Sequence, residues 1–211
     1  MDNGIRNTLL GILAFVAVIM GVFLYSMLSP HTLSDDAYKK LGYFPFHPAR
    51  PIGAFSLTDQ KSQRVGHVEL EGNWSLLYFG YTSCPDVCPT TLSQLAQAMK
   101  LLTRRPQVIM VSVDPERDTP ARLGEYLKSF DPGFIGYTGT FDEVVNLATQ
   151  LNIAFGKVPG SSPGTYEVNH SADIVVVNPK GKYAGFIRPS PQARNVAKIM
   201  SSLMGAPLRS S

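Results

Sequence analysis

Apolar residues along the chain fall into three patterns, each predicting a different kind of element. Residues 8–28 (TLLGILAFVAVIMGVFLYSML) carry no charge. A helix needs about 20 mainly apolar residues to cross a bilayer, so this run is expected to be a transmembrane anchor behind a short tail, residues 1–7. Beyond it, short apolar runs of strand length alternate with stretches whose apolar residues return every three or four positions. The strand-like runs are residues 55–58, 74–79, 108–113, 174–177 and 183–187. The last two flank Asn178-Pro179-Lys180-Gly181, a turn-forming sequence that predicts a hairpin. The helical faces are Leu92, Leu95, Ala96, Met99 and Leu102 behind Pro89, and Leu123, Leu127 and Phe130 behind Thr119-Pro120. Val144, Leu147 and Leu151 follow a Thr140/Glu143 capping box, and Val196, Ile199 and Leu203 follow Ser190-Pro191. Cap residues and proline at the first helical position mark these starts. The alternation predicts one α/β sheet domain over residues 51–211. Residues 29–50 (SPHTLSDDAYKKLGYFPFHPAR) have prolines and no sustained period, and are expected to be a tether.

The exit from the apolar run, Tyr25-Ser26-Met27-Leu28, is a poor signal-peptidase site, and no cysteine follows it to take a lipid. A short tail with Arg6 favours retention of the N-terminus inside, against which Lys39 and Lys40 weigh. The expected location is therefore the bacterial inner membrane, single-pass, with the globular domain in the periplasm. A hydrophobic content of 44% with 17% charged residues excludes a disordered chain. The net charge of +3 and the isolated pairs Lys39-Lys40 and Arg104-Arg105 argue against a nucleic-acid partner.

The chain has two cysteines, Cys84 and Cys88, in Thr82-Ser83-Cys84-Pro85-Asp86-Val87-Cys88-Pro89. They lie between a buried strand and the start of an amphipathic helix, where unpaired backbone N–H groups favour thiolate over thiol. A structural disulfide would close too short a loop to stabilise much, about 2 kcal/mol. A structural zinc site needs four ligands. What remains is redox chemistry or a soft metal, and two thiolates with an imidazole form a set acceptable to copper. Four histidines compete for the third place. His31 and His47 fall in the expected tether and His67 in a polar stretch, so these three read as solvated. His170 precedes a buried strand, where loops of an α/β sheet meet, and is the candidate. Met200 and Met204, one helical turn apart, read as core packing.

These motifs resemble those of the Sco (SenC) family of copper-binding proteins, which assist assembly of cytochrome c oxidase. The likeness rests on Tyr78-Phe79-Gly80-Tyr81-Thr82-Ser83-Cys84-Pro85-Asp86-Val87-Cys88-Pro89-Thr90-Thr91-Leu92, on Val111-Ser112-Val113-Asp114-Pro115-Glu116-Arg117-Asp118-Thr119-Pro120, on Gly136-Tyr137-Thr138-Gly139-Thr140 and on Val168-Asn169-His170-Ser171, in that order. It implies a thioredoxin-like domain in which Cys84, Cys88 and His170 bind one copper, as Cu(I) or Cu(II). It also implies delivery to the binuclear copper centre of cytochrome c oxidase subunit II, a metallochaperone's task rather than an enzyme's. The alternative is a thiol–disulfide oxidoreductase using Cys84 and Cys88 as a redox pair, or a redox or copper sensor. Another copper chaperone or a thiol reductant would be a further partner. Thioredoxins have two residues between their cysteines and a cis-proline where this chain has His170-Ser171-Ala172, differences that favour metal binding over dithiol exchange. Asn169 departs from the family's usual Asp before the histidine. The acidic-basic stretch Asp114, Glu116, Arg117, Asp118 reads first as turn chemistry and helix capping, with partner docking or support of the metal site as the other reading.

Overall fold

Every residue of the strand Ser75–Gly80 is buried, including its one polar side chain, Ser75. A strand without an exposed face must be covered on both sides, and this one (β4) stands at the centre of an eight-stranded sheet. The computed structural model describes residues 3–28, 32–160 and 164–209. In chain order the elements are α1 (Asn3–Leu28), α2 (Asp35–Lys40), β1 (Tyr43–Arg50), β2 (Leu57–Asp59), β3 (Arg64–Val65), a 3-10 turn (His67–Leu70), β4, α3 (Val87–Leu101) and β5 (Gln107–Ser112). They continue with α4 (Pro120–Lys128), β6 (Ile135–Thr138), α5 (Phe141–Gln150), β7 (Phe155–Pro159), β8 (Tyr166–His170), β9 (Ile174–Val177), β10 (Tyr183–Ile187) and α6 (Ala193–Met204). The strand order is β1-β10-β9-β4-β5-β6-β2-β3. β4, β5 and β6 run parallel, and β9 and β10 return antiparallel as the hairpin read from the sequence.

The expected helices form with the expected inner faces: Leu92, Leu95 and Met99 of α3, Leu123 and Leu127 of α4, Val144 and Leu147 of α5, and Val196 and Ile199 of α6 are all buried. Thr119 and Thr140 cap α4 and α5 through their hydroxyls, the latter in a full capping box with Glu143. Phe130 and Leu203 are only partly buried and pack at the margin of the core. α4 lies so close to β6 that a Cβ on Gly136 would stand 2.5 Å from Leu123 Cγ. No larger residue fits there without moving the helix.

The folded domain begins earlier than residue 51. The chain divides into two compact units between residues 32 and 33, so that residues 33–50 belong to the folded domain. Ser34 caps α2, Tyr38 and Tyr43 are buried edge to face at 5.2 Å, and β1 pairs with β10. Two of the prolines that suggested a linker, Pro45 and Pro48, sit in an edge strand, where a missing N–H donor is tolerated. Residues 29–31 lie outside the described residues.

α1 is helical over 26 residues, about 39 Å at 1.5 Å per residue. Its large apolar side chains from Leu10 to Leu24 are about half exposed or more. The side chains of residues 25–28 lie outside those described, and among the described residues no helix is long and apolar enough to cross a membrane.

Candidate metal centre

The cysteine loop leaves the C-terminal end of β4 and becomes α3. Gly80, the last residue of β4, has no side chain, and a Cβ there would sit 3.0 Å from Cys88 Sγ. That absence lets Cys88 fold back fully buried in the first turn of α3. Cys84, four residues earlier, is half-buried, and both cysteines are free thiols. The backbone N–H of Cys88 donates to Cys84 Sγ at 3.5 Å, as expected where the first amides of a helix have no internal partner. Upstream, the buried carboxylate of Asp118 accepts from the Thr82 N–H at 3.0 Å and from the Thr82 hydroxyl at 2.5 Å, which ties down the entry to the loop.

His170 ends β8, the second strand of a hairpin with β7 that forms its own two-stranded sheet. Its Nε2 stands 3.4 Å from Cys88 Sγ. Its Nδ1 lies 3.1 Å from the Ser171 carbonyl oxygen. A carbonyl only accepts, so Nδ1 donates to it, and Nε2 is left facing the sulfurs. Such a tie on the far nitrogen is the usual way a metal-binding histidine is oriented. The ring is further held by edge contacts with Tyr78 and Tyr81, each 6.0 Å between centroids. The donor atoms of Cys84, Cys88 and His170 all lie within 4.8 Å of one another, although 82 residues separate Cys88 from His170. Among the described residues no other group of three or more such side chains forms.

The two thiols are driven apart. Proton sharing with Cys88 holds Cys84 well below the ordinary thiol range despite partial burial, helped by His170 and the amides of Asp86 and Cys88. The same shared proton, together with burial, pushes Cys88 up. Beside Cys88 lies the fully buried Tyr78 hydroxyl, which makes no hydrogen bond of normal geometry; burial and the neighbouring sulfur raise its pKa. An open cleft reaches Cys84 and His170, lined also by Tyr81, Val87, Val168 and Asn169, with Cys88 buried.

Among the described residues the other histidines do not join. His47 is exposed and pairs with Asp35 at 3.1 Å. His67 was expected to be solvated, but it is partly buried, with Nε2 at 3.0 Å from the Gly181 carbonyl and Nδ1 at 3.3 Å from Glu71. His31 lies outside the described residues. Met200 is fully buried and Met204 packs against the core, as their spacing suggested. Tyr78 and Tyr81 were not singled out in the sequence, whereas Asp118 was read with Asp114, Glu116 and Arg117 as turn chemistry or as support of the metal site. The signal for the tyrosines was faint, since both read as strand-end core residues.

The SCO1/SenC family pattern matches residues 47–205. This chain belongs to the SCO1/SenC family. A SCO2-like protein of Rickettsia conorii is 32% identical over 85% of this chain and 89% of its own length. Among solved structures, Arabidopsis thaliana ScoI with copper bound superposes with a TM-score of 0.68 at 31% identity, over 73% of this chain and 99% of that one. Bradyrhizobium japonicum ScoI with copper bound gives 0.64 at 36% identity, over 69% and 94%. The Sco domain here is thus a mixed α/β, thioredoxin-like fold. Its three converging donors fit a copper ion by their chemistry: soft thiolates suit Cu(I), and an imidazole extends the set toward Cu(II).

Proposed function

We propose that this protein is a copper metallochaperone that binds one copper through Cys84, Cys88 and His170 and assists assembly of the binuclear copper centre in cytochrome c oxidase subunit II. One observation carries the reading: His170 Nε2 faces Cys88 Sγ at 3.4 Å with its far nitrogen held by a carbonyl. A dithiol exchange site has no need of an imidazole so oriented, whereas a metal site does. Copper-bound Sco relatives of the same fold support the choice of metal. When bound, copper would be cargo, and the half-open cleft leaves one side of it free for a receiving protein. In the same reading α1 is a single-pass anchor in the bacterial inner membrane and the Sco domain works in the periplasm, supported by the uncharged run at residues 8–28.

The split between a low Cys84 and a high Cys88 favours a second activity, thiol–disulfide exchange on the receiving protein's cysteines. Copper titration of the full-length protein and its variants tests the first reading. Wild type should bind one equivalent of either oxidation state. His170→Ala should lose Cu(II) more than Cu(I), since Cu(II) prefers nitrogen or oxygen ligands. Cys84→Ser and Cys88→Ser should lose both. Binding of Cu(II) by His170→Ala at the wild-type level would exclude the three-donor site.

A further inference from the structure

A carboxylate removed from water is stable only where its oxygens find donors. Asp114 and Asp118 are both fully buried, four residues apart after β5, and they meet that demand in opposite directions. Asp118 reaches the cysteine loop: besides the two bonds from Thr82, it accepts the Ser112 hydroxyl at 2.7 Å. Asp114 reaches the histidine hairpin. One of its oxygens accepts the Tyr166 hydroxyl at 2.8 Å, and the other accepts Nε–H of Arg117. Arg117 in turn donates from Nη1 to the Tyr166 carbonyl at 3.2 Å. Its guanidinium lies 3.9 Å from the centre of the Tyr166 ring and 5.7 Å from that of Tyr81, whose hydroxyl accepts the Val168 N–H at 3.4 Å.

The hairpin β7–β8 shares no strand ladder with the main sheet. Residues 171–173 tie it to β9, whose Ile174 pairs with Tyr78 of β4. At its other end, around Tyr166, side chains hold it, and Arg117 lies there between the hairpin and Tyr81. Nη2 of Arg117 is buried without a hydrogen-bond partner. An unpaired buried donor lowers stability, which offsets part of what Nε–H contributes by satisfying the buried Asp114 carboxylate.

We infer that Arg117, held by Asp114 and seated on Tyr166, is a positioning residue for the metal centre: it sets the hairpin so that the His170 imidazole stands over Cys88. The same five-residue stretch fixes the thiolates through Asp118 and the imidazole through Arg117, so one short loop determines the thiolate–imidazole separation. The metal arm of this inference rests on the copper reading above; the positioning arm does not.

The test uses the full-length protein in detergent micelles, with Arg117→Lys and Tyr166→Phe. Lysine keeps the charge but loses the two-pronged fork. Phenylalanine keeps the stacking ring and removes only the hydroxyl's bonds, to Asp114 at 2.8 Å and to exposed Glu116 at 3.5 Å, so it carries the test if the lysine variant does not fold. In the metal-free proteins, nuclear Overhauser contacts between His170 and the rings of Tyr78 and Tyr81 should weaken, while contacts within β4 and β5 persist. On Cu(II) loading, nitrogen hyperfine coupling should diminish and affinity should fall about tenfold or more. Cu(I) affinity and the Cys84–Cys88 disulfide potential should stay near wild type, because neither needs the imidazole. Unchanged ring contacts with unchanged Cu(II) affinity would overturn the inference. So would a loss of Cu(I) and Cu(II) affinity in equal proportion, which would mean general loosening. If wild type took up no copper, the copper reading would fail and the ring contacts would still decide the positioning.

Discussion

At Cys84 and Cys88 a single proton is shared unequally between two sulfurs, and this determines which of them reacts. Cys84 is the thiolate and the more accessible of the pair. Acidification extinguishes a thiolate only as the pH falls through its pKa, and that of Cys84 lies below the ordinary range. Alkylation by iodoacetamide at about pH 6, where a free thiol near pKa 8.5 is almost wholly protonated, should therefore label Cys84 and spare Cys88. In Cys88→Ser the main cause of the lowering is gone, so the alkylation profile should move up toward that of a free thiol. Peptide mapping after limited labelling reads both outcomes; Cys84 that reacts only above about pH 8 in the wild type, like a free thiol, would show the split to be absent. Tyr78 is a second test at this scale. Its hydroxyl is buried beside Cys88 with no bond of normal geometry, so Tyr78→Phe should leave the urea midpoint unchanged or raise it, by up to about 1–3 kcal/mol in stability. The same change should weaken copper binding, because the Cys88 thiolate loses its nearby donor. A variant less stable than wild type would mean that the hydroxyl is satisfied after all.

Elements were legible where burial imposes a period. The short apolar runs of β4, β9 and β10 and the apolar faces of α3 to α6 stand out because each has a side with no water. β7 and β8 were not legible: FGKVP and YEVNH put glycine, proline and charged residues on a two-stranded ribbon exposed for much of its length, with no apolar alternation to detect. His170 does precede the buried strand β9, as read, but it also ends β8, which left no trace in the pattern. α3 begins at Val87 rather than at Pro89, which brings Cys88 inside the helix. α2 and β1 were hidden by prolines that an edge strand accommodates. This difference bears on truncation. A chain beginning at residue 33 should fold as the full domain does. One beginning at residue 51 loses buried Tyr38 and Tyr43, each worth about 1.5–3 kcal/mol of burial, and exposes the edge of β10. Its thermal midpoint should fall by several degrees or more, measured by circular dichroism; equal midpoints would return residues 33–50 to the status of a tether.

For the whole molecule, the thiolate pair was readable from two cysteines at a helix start. The third donor was only a candidate, since no local pattern marks a histidine 82 residues away that the topology brings to 3.4 Å; resemblance to the family over Val168-Asn169-His170-Ser171, with Asn169 in place of its usual Asp, supplied it. The supporting frame of Asp114, Arg117 and Asp118 read first as a charged turn, with partner docking or support of the metal site as the other reading, because its purpose lies in partners far along the chain. The proposed topology predicts that reporter fusions after residues 28 and 211 are both active only with a periplasmic reporter, and a cytoplasmic reporter active at either place would reverse it. The central claim is delivery of copper from Cys84, Cys88 and His170. Its most direct measurement mixes reduced, copper-loaded protein with the metal-free copper domain of subunit II and follows metal and thiols together. Delivery predicts that copper leaves this protein and appears in subunit II while Cys84 and Cys88 remain reduced, and that His170→Ala transfers poorly. Oxidation of Cys84 and Cys88 with reduction of a subunit II disulfide, and no movement of copper, would contradict it.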